Sequence, residues 1–340
     1  MIGIGTSLLF DRRAGKGGSP IPPFNDAMVD AWFMSGLSNV DKPSSIRGVK
    51  GNEMQLKNFA YSLSSGFGKY EVDFNSWKKQ NTNINVTSSS ITITGVLEIN
   101  TLITYKNEIS KEWKVEITGL PASESIFYRY YEDSDKYKQY EMNKNGVYSL
   151  PPSKVFGAIA FICNSNGLDK LTNLTITQLP SAYEGALVFD GMDDYGICTG
   201  LPIMTDYTVI CRRIILTKPY YYYTVASKSK VANEGAFVFE IIQDQIYNHC
   251  HSFGANNRID LYNGEISWQT KNSYNGNTIE ASNRKDSDHL FIGRLRDTTR
   301  GFCLQGVIYY FALYNKSLTP EEIEIEKERL NEEWLKRKTE

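Results

Sequence analysis

The chain has 340 residues, 41% of them hydrophobic, and a formal net charge of -2. This composition supplies enough apolar side chains for more than one core and excludes a disordered chain. The nearly neutral charge provides no basic field, so we expect no nucleic acid and no anionic membrane surface as a partner. Five cysteines without a C-x-x-C pair do not predict a disulfide framework. The sequence shows neither a secretory signal pattern nor a run of ~20 apolar residues, so no membrane span is expected.

The first part of the chain is predicted to be irregular, with short elements after it. Glycine and proline cluster in AGKGGSPIPPF, which predicts an extended arm over residues 1–26. The following DAMVDAWFMSG predicts a short helix over residues 26–36, capped by Asn25 or Asp26. Over residues 46–70 we expect short strands joined by glycine-rich turns.

Three segments within residues 29–77 are similar to the front of hypothetical and structural proteins from Bacteroidetes phages and prophages, including crAss-like phages. These segments are DAWFMSG, DKPSSIRGVKGNEMQLKNFAYSLSSGFGKY and DFNSW. The resemblance implies a virion protein of head-fibre or tail-fibre type, assembled in the host cytoplasm, whose residues 1–80 attach to other virion proteins. It also favours a homo-oligomer, and a trimer above other numbers, although no heptad run enforces that number.

The middle of the chain predicts an antiparallel β-sandwich over residues 81–182. Segments such as INVTSSSITITGVLEI and EWKVEITGLP are rich in β-formers, recur at regular spacing and are closed by glycine, proline or asparagine turns. Asn145-Gly146 predicts a tight hairpin turn between two of these strands.

Two distant segments resemble the laminin-G and concanavalin A-like lectin superfamily. The first is EGALVFDGMDDYGICT, residues 184–199, which alternates as a strand, breaks at Asp-Gly and resumes as a second strand at Tyr195. The second is HLFIGRLRDTTRGFCLQGVIYYFALYNKSLTPEEI, residues 289–323, in which the following positions match the superfamily pattern: Phe302, Gly306, Ile308, Tyr314, Leu318 and Ile323. The resemblance implies a jelly-roll sandwich over residues 183–318.

Within this last domain, GAFVFEIIQDQIYNHCHSF predicts one long strand with a bend, and Asn263-Gly264 predicts a hairpin turn. A terminal helix over residues 319–340 is marked by a capping box between Thr319 and Glu322 and by Pro320 at the first helical position. We expect the length of this helix to pack on a neighbouring subunit. The overall fold class is therefore all-β: an N-terminal irregular or β anchoring region, a central antiparallel sandwich, and a concanavalin A-like jelly roll ending in an α-helix.

Asp190, Asp193 and Asp194 form the one oxygen-rich group that suggests a metal. Calcium is a hard cation that prefers several carboxylate and carbonyl oxygens, so it is the ion these residues would hold. The spacing matches no known calcium loop, and the alternative interpretation is a polar turn between two strands. No other cofactor is expected.

Tyr221, Tyr223 and Trp268 are candidate carbohydrate-binding residues. A flat aromatic face complements the apolar face of a pyranose ring, while polar neighbours bind its hydroxyls. Consecutive tyrosines in a strand alternate between its two faces, so core packing is the competing interpretation.

No motif in the sequence predicts catalysis. Glucanases with this fold use a strand motif close to E-x-D-x-x-E, which is missing here. We expect no enzyme. The resemblance of residues 29–77 instead implies a phage virion structural protein that displays lectin-like sandwiches and binds host surface glycan. The alternatives are a glycan-binding adhesin outside any virion and, as a third hypothesis, a glycoside hydrolase.

Overall fold

The computed structural model describes residues 23–133, 135–164, 168–217, 222–228, 238–242, 245–248, 266–278, 286–295 and 303–339. The first strands are β1 (Met28–Phe33), β2 (Ser45–Arg47), β3 (Glu53–Lys57) and β4 (Gly66–Lys69). A 3-10 helix (Phe74–Ser76) precedes β5 (Lys78–Lys79), β6 (Ile84–Val86), β7 (Ser90–Ile93), β8 (Thr101–Tyr105), β9 (Trp113–Thr118), β10 (Ile126–Tyr130), β11 (Lys138–Met142), β12 (Gly146–Leu150), β13 (Ile159–Cys163) and β14 (Thr175–Leu179). The last strands are β15 (Ala182–Asp190), β16 (Tyr195–Cys198), β17 (Thr208–Ile215), β18 (Tyr222–Ser227), β19 (Val238–Ile242), β20 (Gln245–Asn248), β21 (Ile266–Thr270), β22 (Ser273–Tyr274), β23 (Asn277–Thr278), β24 (Leu290–Ile292) and β25 (Gln305–Tyr314), followed by α1 (Pro320–Thr339).

Strands from both ends of the chain form one sandwich, which we call the split sandwich. Its first sheet has the order β23-β22-β21-β17-β25-β15-β4, with β1 also paired to β25. Its second sheet has the order β2-β3-β16-β24-β18-β19-β20. Apolar side chains from both sheets, including Met54, Phe189, Ile292 and Phe311, meet in one buried cluster between them. The all-β class with antiparallel sheets and a C-terminal helix is thus confirmed.

The predicted helix over residues 26–36 is wrong, because this stretch contains strand β1. Ala31 lies opposite Ala312 in an antiparallel pairing with β25. Trp32 faces the core between the two sheets, whereas Phe33 faces a second apolar cluster beneath α1. A strand buried on both faces has no polar alternation, so its apolar run looks like a buried helix in the sequence.

Residues 28–69 do not form a domain of their own, because their strands complete the split sandwich; their attachment to other virion proteins stays a prediction. β3 pairs with β16, and β4 pairs with β15. The buried carboxylate of Asp30 links β1 to the turn before β3: it accepts hydrogen bonds from the backbone N–H groups of Lys50 and Asn52, each at 2.8 Å. Gly48 is required here, since a Cβ at that position would lie 2.2 Å from Asp30 Oδ1.

A second sandwich occupies the chain between β4 and β15, and we call it the inserted sandwich. Its two five-stranded sheets have the orders β11-β10-β13-β8-β5 and β12-β9-β14-β7-β6. All the pairings are antiparallel, as the spacing of the strands predicted. Aromatic rings fill the centre, where Trp113 lies edge-on to Tyr128 and Phe161 with centroids 5.7 and 6.1 Å away.

Two predicted connections differ from the structure. Asn145-Gly146 is not a hairpin turn, because β11 and β12 belong to different sheets. Asn145 instead accepts a hydrogen bond from Leu120 N at 2.8 Å and donates one to Leu120 O at 3.1 Å, which ties this crossing to the neighbouring loop. The predicted long strand is two strands, since β19 and β20 pair antiparallel. Asn263-Gly264, the arm over residues 1–22 and Phe302 lie outside the described residues.

The inserted sandwich interrupts what would otherwise be a hairpin between β4 and β15. Ala182 lies opposite Lys69, and Ser181 N donates to Lys69 O at 2.7 Å. Closer to the inserted sandwich, the buried side-chain amide of Gln178 accepts a hydrogen bond from Val72 N at 3.1 Å and donates one to Val72 O at 2.9 Å. The two connecting segments therefore leave and return side by side, held by hydrogen bonds.

Helix α1 lies on the outer face of the eight-stranded sheet. The predicted capping box is present: Thr319 N donates to Glu322 Oε2 at 2.8 Å, and Glu322 N donates to Thr319 Oγ1 at 3.2 Å. Its buried residues pack against the apolar cluster on its own sheet, and Trp334 Nε1 donates to Gly185 O at 2.7 Å. This face packs on its own sheet, and the expectation that the length of the helix packs on a neighbouring subunit stays a prediction. Among the described residues, no helix is both long and apolar enough to cross a membrane.

Candidate functional site

The three predicted metal-binding aspartates do come together, in the turn between β15 and β16. One carboxylate oxygen from each of Asp190, Asp193 and Asp194 lies within 4.8 Å of the others. Asp190 Oδ1 accepts from Met192 N at 2.7 Å, which closes the turn. Oxygen atoms this close are a donor set of the kind that calcium prefers.

Asp194 differs from its two neighbours because it is only 1% exposed. Its Oδ2 accepts a hydrogen bond from Asp190 N at 3.1 Å, and its Oδ1 accepts one from Ser65 Oγ at 3.1 Å. Burial, with the charge of Asp190 as a second cause, raises the pKa of Asp194 to about 7. Both oxygens thus already serve the turn and its contact with the loop before β4. These contacts account for the group as turn chemistry, and calcium binding stays a prediction.

The structure describes the three candidate carbohydrate-binding residues only in part. Tyr221 lies outside the described residues, and Tyr223 is described only as part of the backbone of β18. β18 belongs to the seven-stranded sheet, whereas Trp268 lies in β21 of the eight-stranded sheet. Trp268 is half-buried and packs against the apolar cluster beneath α1. Carbohydrate binding by Tyr221, Tyr223 or Trp268 therefore stays a prediction.

A pocket of about 310 Å³ lies instead on the inserted sandwich, where three loops converge. The loops follow β8, β10 and β12, and we call the site the three-loop pocket. Its volume is at the lower end of the roughly 300–1,000 Å³ found for small-molecule sites. The lining residues are Glu108, Ile109, Ser110, Tyr131, Glu132, Pro151, Pro152, Ser153 and Lys154.

Hydrogen bonds between the loops hold the pocket in shape. Ile109 and Ser153 form an isolated antiparallel bridge, with N–H···O distances of 3.0 and 2.8 Å. Ser153 Oγ also accepts from Tyr131 N at 3.0 Å, and Lys154 N donates to Tyr131 O at 2.7 Å. Each loop is thereby fixed to another one through its backbone. Loops fixed in this way would not have to be ordered when a ligand binds.

Charged side chains surround the mouth of the pocket in pairs. Lys154 Nζ lies 3.7 Å from Glu108 Oε1. Lys138 donates to Glu132 Oε2, and Tyr130 OH donates to Glu132 Oε1 at 3.4 Å. The hydrogen bond from Lys138 lowers the pKa of the Glu132 carboxyl, and the same bond raises the pKa of Lys138. The Glu132 carboxyl is thus ionised at neutral pH, and as a carboxylate it accepts hydrogen bonds.

Apolar groups complete the pocket. Pro151, Pro152 and the buried Ile109 contribute apolar surface to its wall. Immediately after Lys154, the side chains of Val155 and Phe156 are 55% and 53% exposed. A large apolar side chain exposed beside a concave polar site is typical of a surface that receives a ligand.

The strand register places the pocket at the end of the inserted sandwich that carries its connections. Lys114 lies opposite Leu179 at the end of β14, where the chain returns to the split sandwich. Trp113 lies opposite Leu150, and the loop with Pro151 and Pro152 follows directly. The pocket therefore lies at the end of the inserted sandwich from which the chain returns to the split sandwich. In its sheet, β12, which precedes a pocket loop, is two strands away from β14, which precedes the connecting segment.

Sequence reasoning missed this pocket. Its residues come from three loops that are about twenty positions apart in the chain, and none of the loops carries a motif. The one local signal is the pair Pro151-Pro152, which stiffens a loop and removes two backbone donors. Nothing in the sequence indicates that Glu108 and Glu132 meet beside it.

No protein-family model matches the chain, and the comparison with curated proteins finds no match. Among solved structures, a Trypanosoma rangeli sialidase in complex with 2,3-difluorosialic acid is similar over 46% of this chain and 29% of its own, with 14% identity and a TM-score of 0.28. The same sialidase in complex with sialic acid aligns with 83% of this chain and 67% of its own, with 9% identity and a TM-score of 0.30. The full extracellular region of zebrafish Gpr126/Adgrg6 aligns with 65% of this chain and 36% of its own, with 14% identity and a TM-score of 0.29. The chain spans less than a third of the first of these structures, and at such scores the likeness carries no argument about function.

Proposed function

We propose that this chain is a structural adhesion protein that binds glycan through the three-loop pocket. The observation that carries the proposal is the pocket itself: three loops locked by backbone hydrogen bonds enclose apolar and ionised groups together. A sugar ring offers the complementary combination, since it has an apolar face and a rim of hydroxyls that donate to carboxylates.

Binding is a better match to the pocket than hydrolysis. A glycosidase needs one carboxyl that holds its proton at working pH, which requires a raised pKa. Lys138 lowers the pKa of the Glu132 carboxyl, which is the opposite direction. The carboxylates therefore act as hydrogen-bond acceptors for hydroxyls in this proposal, and a glycoside hydrolase is the weaker alternative.

The setting that we propose is a phage virion, with the chain as a head-fibre or tail-fibre protein that attaches to other virion proteins. The support is the resemblance of residues 29–77 to hypothetical and structural proteins of Bacteroidetes phages and prophages. In this proposal the chain is a trimer, and the glycan belongs to the surface of the host cell. Electron microscopy of assembled particles, with antibody against the chain, tests this setting: label on the particle supports it, and label only on the cell surface favours an adhesin outside the virion.

A glycan array with the full chain tests the binding itself. Ser110 is exposed and lines the pocket, so Ser110→Trp fills the site without disturbing the core. Ser123 is exposed in the loop after β9, at the opposite end of the same sandwich, so Ser123→Trp is the matched control. We expect the unmodified chain and Ser123→Trp to bind the same glycans, and Ser110→Trp to lose them. Equal binding by both variants, or none by the unmodified chain, would exclude the three-loop pocket as a glycan site.

A further inference from the structure

The charges around the three-loop pocket define the class of sugar that it accepts. We propose that the pocket selects neutral sugars and rejects sugars that carry a carboxylate. This inference rests on the proposed glycan binding and adds its specificity.

The argument begins with the balance of charges. Among the nine residues that line the pocket in the described part of the chain, two are glutamates, one is a lysine and none is an arginine. The lysine, Lys154, already pairs with Glu108 at 3.7 Å. Lys138, the other nearby cation, donates its hydrogen bond to Glu132. An acidic sugar is normally held by a cation with donors directed at the carboxylate, most often the fork of an arginine.

A ligand carboxylate in this pocket would instead meet ionised Glu132, whose pKa is lowered by Lys138. Two carboxylates in one site repel each other unless one of them takes up a proton. Recruiting Lys154 or Lys138 to the ligand would leave Glu108 or Glu132 without its partner. Either route weakens binding of an acidic ligand relative to a neutral one, which is specificity by repulsion.

A neutral sugar meets no such conflict. Carboxylates accept hydrogen bonds and cannot donate them, and every sugar hydroxyl is a donor. Glu108 and Glu132 retain acceptor capacity beyond their single lysine partners, because an ionised carboxylate has about four lone-pair positions. The hydroxyl of Ser110 can then serve a sugar hydroxyl oxygen as a donor. The pocket thus offers a polyol both hydrogen-bond acceptors and a hydrogen-bond donor, but it offers an acidic sugar no counter-ion.

The test uses the full chain and matched methyl glycosides that differ only at C6. Methyl glucoside, galactoside and mannoside are each compared with the corresponding uronate by ligand-observed NMR titration. We expect at least one neutral glycoside to bind with a Kd about tenfold lower than that of its uronate. Raising the salt concentration should narrow this ratio, because the repulsion is screened.

Two double variants separate charge in the pocket from charge elsewhere. Glu108→Gln with Glu132→Gln removes both pocket charges, and we expect the neutral-to-acidic ratio to fall to roughly threefold or less. Glu98→Gln with Glu141→Gln makes the same change in net charge at the opposite end of the inserted sandwich, where both residues are exposed. This control should keep the ratio of the unmodified chain.

Each outcome bears on one of the two proposals. A uronate that binds as tightly as its neutral partner, or a ratio unchanged in the Glu108 and Glu132 variant, overturns the preference and leaves glycan binding standing. If none of the glycosides binds and the array also shows no ligand, the proposed function fails and the preference fails with it.

Discussion

The ammonium of Lys228 donates a hydrogen bond to Asp286 Oδ2 at a distance of 2.5 Å in the interior of the split sandwich. The two side chains are 0% and 3% exposed. Lys228 also donates to Pro202 O at 2.9 Å, and Asp286 Oδ2 accepts from Met204 N at 2.6 Å. The pair therefore joins three segments: the end of β18, the loop after β16 and the approach to β24. Burial lowers the pKa of Lys228, while Asp286 opposes that shift.

Removing one partner of this pair should be far more harmful than removing both. Asp286→Ala leaves a buried cation uncompensated, and we expect the free energy of unfolding to fall by roughly 3–5 kcal/mol. The double variant Lys228→Met with Asp286→Leu buries apolar groups of similar size, so its loss should be smaller. Urea unfolding followed by tryptophan fluorescence measures both. A single variant within about 1 kcal/mol of the unmodified chain would show that water reaches the pair.

Asp194 should make the stability of the split sandwich depend on pH. Its pKa is about 7 in the folded chain, against an ordinary value of 3.8. Between these values the folded state holds a proton that the unfolded state has lost, so stability falls as pH rises from about 4 to 7. At 1.36 kcal/mol per pKa unit the loss at pH 8 is up to about 4 kcal/mol. Asp194→Asn should remove this slope and raise the melting temperature at pH 8; parallel curves for the two proteins from pH 4 to 8 would contradict the assignment.

The inserted sandwich should fold when it is separated from the rest of the chain. Its apolar core consists only of residues from the inserted sandwich, and the connecting segments at Val72 and Gln178 lie side by side. We expect a fragment of residues 71–180 to unfold in one cooperative transition, with Trp77 and Trp113 buried from water. Circular dichroism and fluorescence should give the same midpoint. Divergent midpoints, or an unfolded fragment, would mean that the split sandwich is needed to hold it together.

Trp334 should contribute more to stability than any other contact of α1. It is 6% exposed, donates to Gly185 O, and has the Arg212 guanidinium 4.8 Å from its ring centroid. Trp334→Ala should lower the free energy of unfolding by roughly 3–5 kcal/mol. Trp334→Phe keeps most of the packing, so its loss should be nearer to 1 kcal/mol, the value of the hydrogen bond. Light scattering should give the same mass for both variants as for the unmodified chain, since this face packs on its own sheet.

Local periodicity was enough to predict most strands and the terminal helix. The alternation around Ile91 and Ile93 marked β7, and the capping box at Thr319 fixed the start of α1. Where a strand is covered on both faces, as β1 is, the same reasoning failed, because nothing polar alternates with Trp32 and Phe33. Asn145-Gly146 misled for a related reason: the residue pair favours a tight turn, but the adjoining strands pair with β9 and β10 instead of with each other.

The sequence alone did not predict which distant strands pair with each other. The contact of Lys69 with Ala182 joins residues on either side of an entire sandwich, and no local pattern encodes it. The aspartate group was predictable, because its members are neighbours in one turn. The three-loop pocket was not, because Glu108, Tyr131 and Ser153 meet only after two five-stranded sheets have packed together.

The interrupted hairpin also sets an order of events during synthesis. β1 pairs with β25, so its edge stays unpaired until the ribosome has made residues 305–314. The inserted sandwich has all of its strands much earlier, and a complete domain can fold while the rest of the chain is still being made. The apolar segment around Trp32 is therefore made early but stays unpaired next to the folded inserted sandwich until β25 has been made. A pause or truncation before residues 305–314 are made would leave that segment exposed, and aggregation would begin at β1.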